Sequence, residues 1–121
     1  MSASIATATV TTISTDELVQ RVRDDVGLHV WNVLTDDYFK GELIPGSRRV
    51  PVDRLGEAVR RSTLAKDASI VVYCQGVHCP SSRQAAEKLA AFGFTRVEAY
   101  EGGLDDWKQA GFGIVGTGLS A

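Results

Sequence analysis

Apolar and polar positions along the chain fall into blocks that switch between strand and helix periods. Thr11-Thr12-Ile13 is a short strand candidate. Ser14 and Glu17 then stand at capping-box spacing. Leu18, Val19 and Val22 make one helical face, which Gly27 is expected to end. Leu28 to Leu34 is rich in β-formers and predicts a second strand. Thr35-Asp36-Asp37 opens a helical turn through Tyr38 and Phe39, and Ile44-Pro45-Gly46-Ser47 reads as a turn. Arg48 to Val52 is a short extended piece in which Pro51 favours an edge or a strand end. Asp53 is placed to cap a helix running to about Arg61.

Ser69 to Tyr73 is the strongest strand signal, because its nearly continuous apolar run suits a strand buried on both faces of a parallel sheet. Ser81 or Ser82 is expected to cap a helix through Phe92 with Ala85, Ala86, Leu89 and Ala90 on its apolar face, and Gly93 stops it. Arg96 to Tyr100 predicts the last strand. Gly102-Gly103 turns the chain into a short final helix that carries Trp107; Trp107 and Trp31 are assigned to the core.

Strands alternating with helices in a short chain imply an open α/β sheet, mostly parallel, covered by helices on both faces. In such sheets ligands bind beyond the carboxyl ends of the strands, which directs attention to the residues after Tyr73. The 121 residues amount to one small domain, expected over 11–115 with tails at 1–10 and 116–121, and large enough to bury a core without disulfides. Hydrophobic residues make up 44% and charged residues 23%, a globular composition. A formal net charge of -2 argues against nucleic acid or an anionic membrane as partner. No run has the length of a membrane span, and Met1 to Thr9 lacks the basic residue and apolar block of a signal peptide. The cytoplasm is therefore the expected location. Nothing in the pattern demands more than a monomer or decides the oligomeric state.

Cys74 directly follows the strongest strand, and Gln75-Gly76-Val77-His78-Cys79-Pro80-Ser81-Ser82 leads from it into a helix N-terminus. The first amides of a helix lack internal partners and carry partial positive charge, so a loop in front of them can cradle a thiolate, a persulfide or an oxyanion. Cys74 is the expected nucleophile, the alternative being a buried structural cysteine. Cys79, five positions on, is open to three readings: a resolving thiol for Cys74, the nucleophile itself, or a plain loop residue. A bridge between the two would close only a tiny loop, so a reactive or regulatory role fits the pair better than a structural one. His78 is an anion contact or a solvent-facing side chain. With Cys74 and Cys79 it makes too few ligands, crowded in one loop, for a tetrahedral metal site. Arg83 in the first helical turn, and Arg48 and Arg49 after the Ile44-Pro45-Gly46 turn, are possible anion contacts or solvated charges.

Three elements in order resemble the rhodanese superfamily. VVYCQGVHCPSSRQAAEKLAAFGF is similar to its active-loop strand, loop and helix; IPGSRRVP is similar to its proline-glycine element; VEAYEGGLDDWKQAGF is similar to its terminal glycine-tryptophan element. Together they cover most of the chain from Leu28 to Phe112. The resemblance implies a three-layer sandwich with about five mostly parallel strands. It also implies transfer of sulfane sulfur, from a donor such as thiosulfate or a persulfide to a thiol or cyanide, through a persulfide on Cys74. That chemistry needs no metal or organic cofactor. Its partners would be a small sulfur-containing anion or a small-molecule or protein thiol.

The chain departs from the family pattern in several places. Its loop is about two residues longer, Cys79 stands where the family's loop arginine would fall, the usual D-V-R is Asn32-Val33-Leu34, and a family histidine is replaced within Gly41-Glu42-Leu43-Ile44. Two other functions stay open on this reading. One is a redox-sensing or partner-binding module built on the Cys74/Cys79 dithiol. The other is an oxyanion reductase or phosphatase.

Overall fold

The computed structural model describes residues 10–116. Four parallel strands form one sheet in the order β3-β1-β4-β5, with β1 at His29–Asn32, β3 at Arg48–Arg49, β4 at Ser69–Tyr73 and β5 at Arg96–Tyr100. All five residues of β4 are buried, as its apolar run predicts, and the strand is flanked on both sides. The register pairs Asn32 with Tyr73 and Tyr73 with Tyr100, so three strands end side by side and the residues after them share one edge. The fifth strand expected at Thr11-Thr12-Ile13 is reduced to a single rung, Thr12 against Ala99, held by Ile13 N–H to Ala99 O at 3.1 Å and Ala99 N–H to Thr11 O at 2.8 Å. A separate antiparallel pair joins β2 (Glu42–Leu43) to β6 (Val115–Gly116). Of the tails expected at 1–10 and 116–121, residues 1–9 and 117–121 lie outside the described residues, whereas Val10 packs against the core and Gly116 pairs with Glu42.

Four helices flank the sheet: α1 at Thr15–Asp24, α2 at Leu55–Arg61, α3 at Ser81–Ala91 and α4 at Gly103–Gln109. The capping box of α1 forms as the spacing predicts, with Glu17 N–H on Ser14 Oγ at 3.2 Å and Ser14 N–H on Glu17 Oε1 at 2.9 Å. Only Leu18 on that helix is fully buried, whereas Val22 is 42% exposed. The helix ends at Asp24, short of Gly27, because Asp25 takes the cap position and its carboxylate accepts the Gly27 N–H at 3.1 Å. Asp53 caps nothing. The chain already turns at Pro51, whose carbonyl takes the Arg54 N–H at 2.9 Å, and Asp53 lies inside a 3-10 turn, Val52–Arg54, that runs into α2.

Helix α3 buries Ser82, Ala85, Ala86 and Leu89, a run at helical spacing that packs on β4 and β5; Ala90 faces solvent instead. Full burial of one such leucine contributes about 1.5–3 kcal/mol. Neither Ser81 nor Ser82 caps this helix. Pro80 holds the cap position with αR backbone, which makes Ser81 and Ser82 the first two helical residues and leaves their side chains free for the loop. Trp31 and Trp107 are buried as expected, and Trp107 Nε1 donates to Gly113 O at 2.9 Å. The Ile44–Ser47 turn is anchored from below: the buried hydroxyl of Tyr73 accepts the Ile44 N–H at 3.0 Å and shares a 2.6 Å hydrogen bond with Ser47 Oγ.

Candidate functional site

The segment between Tyr73 and Ser81 leaves the carboxyl end of the central strand and returns into the N-terminus of α3. Cys74 is fully buried, and its thiol donates to the Cys79 carbonyl at 3.4 Å. The loop then folds back on itself, with Cys79 N–H on the buried Gly76's carbonyl at 3.0 Å. This leaves the Cys79 side chain half-buried beside the end of β4, on the residue whose carbonyl the Cys74 thiol reaches. Val77 and His78 form the exposed tip.

The backbone that follows β5 fixes the near side of the loop. Leu104 N–H donates to Cys74 O at 3.1 Å, Asp105 N–H donates to Gln75 O at 2.9 Å, and Gln75 Nε2 donates to Asp105 Oδ1 at 2.8 Å. Such an approach requires glycine at position 103. Its φ is +59°, and a Cβ there would run into the Cys74 carbonyl oxygen and the Gln75 backbone.

The two thiols occupy different electrostatic settings. Burial, more than anything else, pushes the Cys74 thiol up to about 11; its hydrogen bond with Cys79 adds to this, and Ser82 opposes it. The Ser82 hydroxyl is itself buried with no hydrogen-bond partner of ordinary length, and lies beside the Cys74 sulfur. For Cys79 burial is again the largest single influence and acts upward. The nearby Cys74 thiol, the Ser81 amide and hydroxyl and the Gln75 amide favour its thiolate and outweigh burial, so the thiol lies below its ordinary value.

A cavity of about 530 Å³ opens in front of Cys79. Leu34, Tyr38 and Val52 give it an apolar wall, and Lys40 and Asp105 are the charged side chains lining it. Gln75, Gly76, His78, Pro80 and Ser81 reach it as the loop reading expects; Val77 and Ser82 do not line it, and neither does Cys74. The three arginines considered as anion contacts stand elsewhere. Arg83 is paired with Glu101 at 2.8 Å. Arg49 is drawn under the β1 end by Asp36 at 2.7 Å, Asn32 Oδ1 at 3.1 Å and the Phe39 ring at 3.9 Å, because its guanidinium satisfies carbonyl and carboxylate acceptors that would otherwise face the sheet edge unpaired. Arg48 faces a separate groove with His29, Arg54 and Arg61. Sequence reading missed Tyr38 and Lys40; the signal was available, since the turn at Thr35 also follows the carboxyl end of a strand. Among the described residues no group of three or more His, Cys, Asp or Glu is placed to hold a metal ion, and no helix is long and apolar enough to cross a membrane.

A parallel sheet whose central strand delivers a cysteine loop to the N-terminus of a helix defines a rhodanese-like α/β domain. The chain belongs to the rhodanese-like domain family, whose sequence model matches residues 14–110. The Bacillus halodurans protein BH2092 superposes with a TM-score of 0.78 at 27% identity, over 88% of this chain and 77% of that one. The Anabaena protein Alr3790 gives a TM-score of 0.75 at 26% identity, over 86% and 80% of the two chains. The human single-domain sulfurtransferase TSTD1 shares the fold, with a TM-score of 0.68 at 18% identity over 84% of this chain and 97% of that one. The comparison with curated proteins gives no match.

Proposed function

We propose that this chain is a sulfurtransferase that carries sulfane sulfur as a cysteine persulfide in the 74–82 loop, and that Cys79 takes up the sulfur. The sequence alone favours Cys74 for this step. What supports Cys79 is one observation: it is the cysteine that lines the open cavity, whereas Cys74 is fully buried outside it. In the first half-reaction the Cys79 thiolate attacks the outer sulfur of the donor. The donor's sulfur–sulfur bond breaks, its remainder leaves with the electron pair, and Cys79–S–SH results. In the second, an acceptor thiolate or cyanide attacks the outer sulfur and restores the thiolate.

The lining of the cavity bears on the donor. A thiosulfate dianion would find a single lysine there, with Asp105 opposing it, whereas an organic persulfide or thiol could lay an apolar body along Leu34, Tyr38 and Val52. An organic persulfide is therefore the better-fitting donor.

Thiocyanate formation in excess cyanide tests this reading. The wild type should turn over an organic persulfide faster than thiosulfate, and Cys79→Ala should reduce turnover to the uncatalysed background. Full turnover by Cys79→Ala would return the persulfide to Cys74.

A further inference from the structure

Sulfur transfer through Cys79 leaves the second thiol of the loop, Cys74, without a role. Cys74 is fully buried, does not line the cavity, and has its sulfur 3.4 Å from the Cys79 carbonyl oxygen. A spectator at a strand end would not need to sit there. An attacking thiol would, because displacement at sulfur requires the nucleophile behind the inner sulfur and the leaving group in front of it. Cys79 lines the cavity, and Cys74, outside that lining, reaches the Cys79 backbone from the buried end of β4, with its sulfur 3.4 Å from the Cys79 carbonyl oxygen.

We propose that, when no acceptor occupies the cavity, Cys74 attacks the inner sulfur of the Cys79 persulfide and discharges the outer sulfur as sulfide, so that the domain also has a sulfide-releasing activity. This inference rests on the persulfide forming at Cys79. The step balances: Cys79–S–SH and Cys74–SH give the Cys74–Cys79 disulfide and hydrogen sulfide. One sulfur–sulfur bond forms as one breaks, the sulfane sulfur is reduced to sulfide, and the two cysteines are oxidised. Hydrosulfide is a better leaving group than an alkyl thiolate, which favours attack at the inner sulfur. Persulfide formation also helps the attacker. The negative charge on Cys79, one of the influences that hold Cys74 in its thiol form, moves outward by one bond. A small-molecule or protein thiol resets the disulfide before the next cycle.

The arrangement has a built-in order. The buried Cys74 remains a thiol over the ordinary pH range, so its attack is slower than that of a thiolate acceptor delivered through the cavity. Transfer takes precedence when an acceptor is present, and sulfide release takes over when it is absent.

The test is a single turnover of fully reduced protein with one equivalent of an organic persulfide and no acceptor, read by sulfide assay and intact mass. The wild type should release about one sulfide per chain and lose two hydrogens in mass. Cys74→Ala or Cys74→Ser, whichever unfolds at the wild-type temperature, should instead keep one added sulfur and release sulfide only at background. Wild-type protein that holds a stable added sulfur without releasing sulfide would overturn the discharge step while leaving the transfer reading standing. Wild-type protein that neither gains sulfur nor releases sulfide, and forms no thiocyanate with cyanide, would overturn both. Sulfide release undiminished in both Cys74 variants would also sink the proposal, since the leaving sulfur would then owe nothing to Cys74.

Discussion

Asp105 holds Gln75 from two directions: its backbone N–H donates to the Gln75 carbonyl at 2.9 Å, and its carboxylate accepts from the Gln75 side-chain amide at 2.8 Å. The first residue of the loop after Cys74 is thereby fixed to the start of α4, and the approach is possible because position 103 carries no side chain. Gly103→Ala should destabilise the domain by about 1–2 kcal/mol for the left-handed backbone and by about 1–3 kcal/mol more for overpacking against the Cys74 carbonyl. Gly111 also has a positive φ, but open space around it. Gly111→Ala should lose only the backbone part. Urea unfolding of the two variants distinguishes them, and equal losses would mean that the contact with Cys74 carries no weight.

Tyr73→Phe removes the hydroxyl that accepts the Ile44 N–H and meets Ser47, leaving the buried Ile44 N–H unpaired while Ser47 Oγ keeps its bond to the Ile44 carbonyl. A loss of about 1–3 kcal/mol is expected, measurable as a lower denaturant midpoint.

Burial also raises the Tyr73 and Tyr100 hydroxyls above their ordinary value of 10.0. In the unfolded chain these phenols ionise first. Their contribution to stability is complete below pH of about 10 and falls away as pH climbs towards the raised values. Thermal melts should therefore drop on the alkaline side, and the drop should be shallower in Tyr73→Phe.

The two cysteines should be separable by alkylation. Cys79 should react with iodoacetamide along a pH curve whose midpoint lies below that of a free cysteine, since its thiol is lowered. Cys74 should stay unmodified in the folded protein, being buried and raised to about 11. Peptide mapping after alkylation at several pH values reads both. Preferential labelling of Cys74 would contradict the geometry of the loop.

Lys40 is the cation of the cavity. Lys40→Ala should weaken the use of thiosulfate by about fivefold, equivalent to about 1 kcal/mol, and affect a singly charged organic persulfide less. Steady-state kinetics with both donors measure the ratio. Arg83→Ala, by contrast, should leave both donors alone, because Arg83 is occupied with Glu101 outside the cavity.

The strands and the loop were legible where burial and period agreed. Ser69–Tyr73 and Arg96–Tyr100 appear at the expected residues because a strand covered on both faces has few alternative apolar patterns. The helix caps were less legible. A serine before a helical run is a good cap by type, but Pro80 already had a suitable φ and took the position, which shifted Ser81 and Ser82 inward towards the thiols. Which of Cys74 and Cys79 lines the cavity was not legible either. That depends on how the loop folds back, with Cys79 N–H reaching Gly76 O, and neither spacing nor composition encodes that reversal. Arg48, Arg49 and Arg83 were ambiguous for a related reason: a charge near a loop in sequence finds its partner, here Asp36 or Glu101, only when distant segments meet.

The hydrogen bonds from Leu104 and Asp105 to the Cys74 and Gln75 carbonyls have a consequence for how the protein is made. During synthesis both cysteines emerge from the ribosome well before the segment that clamps their loop. Until α4 arrives, the segment from Cys74 to Ser81 lacks the two backbone contacts that hold its first residues. The loop takes its shape only with nearly the last stretch of the described domain, so a chain cut short before α4 would carry both cysteines without the geometry that sets them apart.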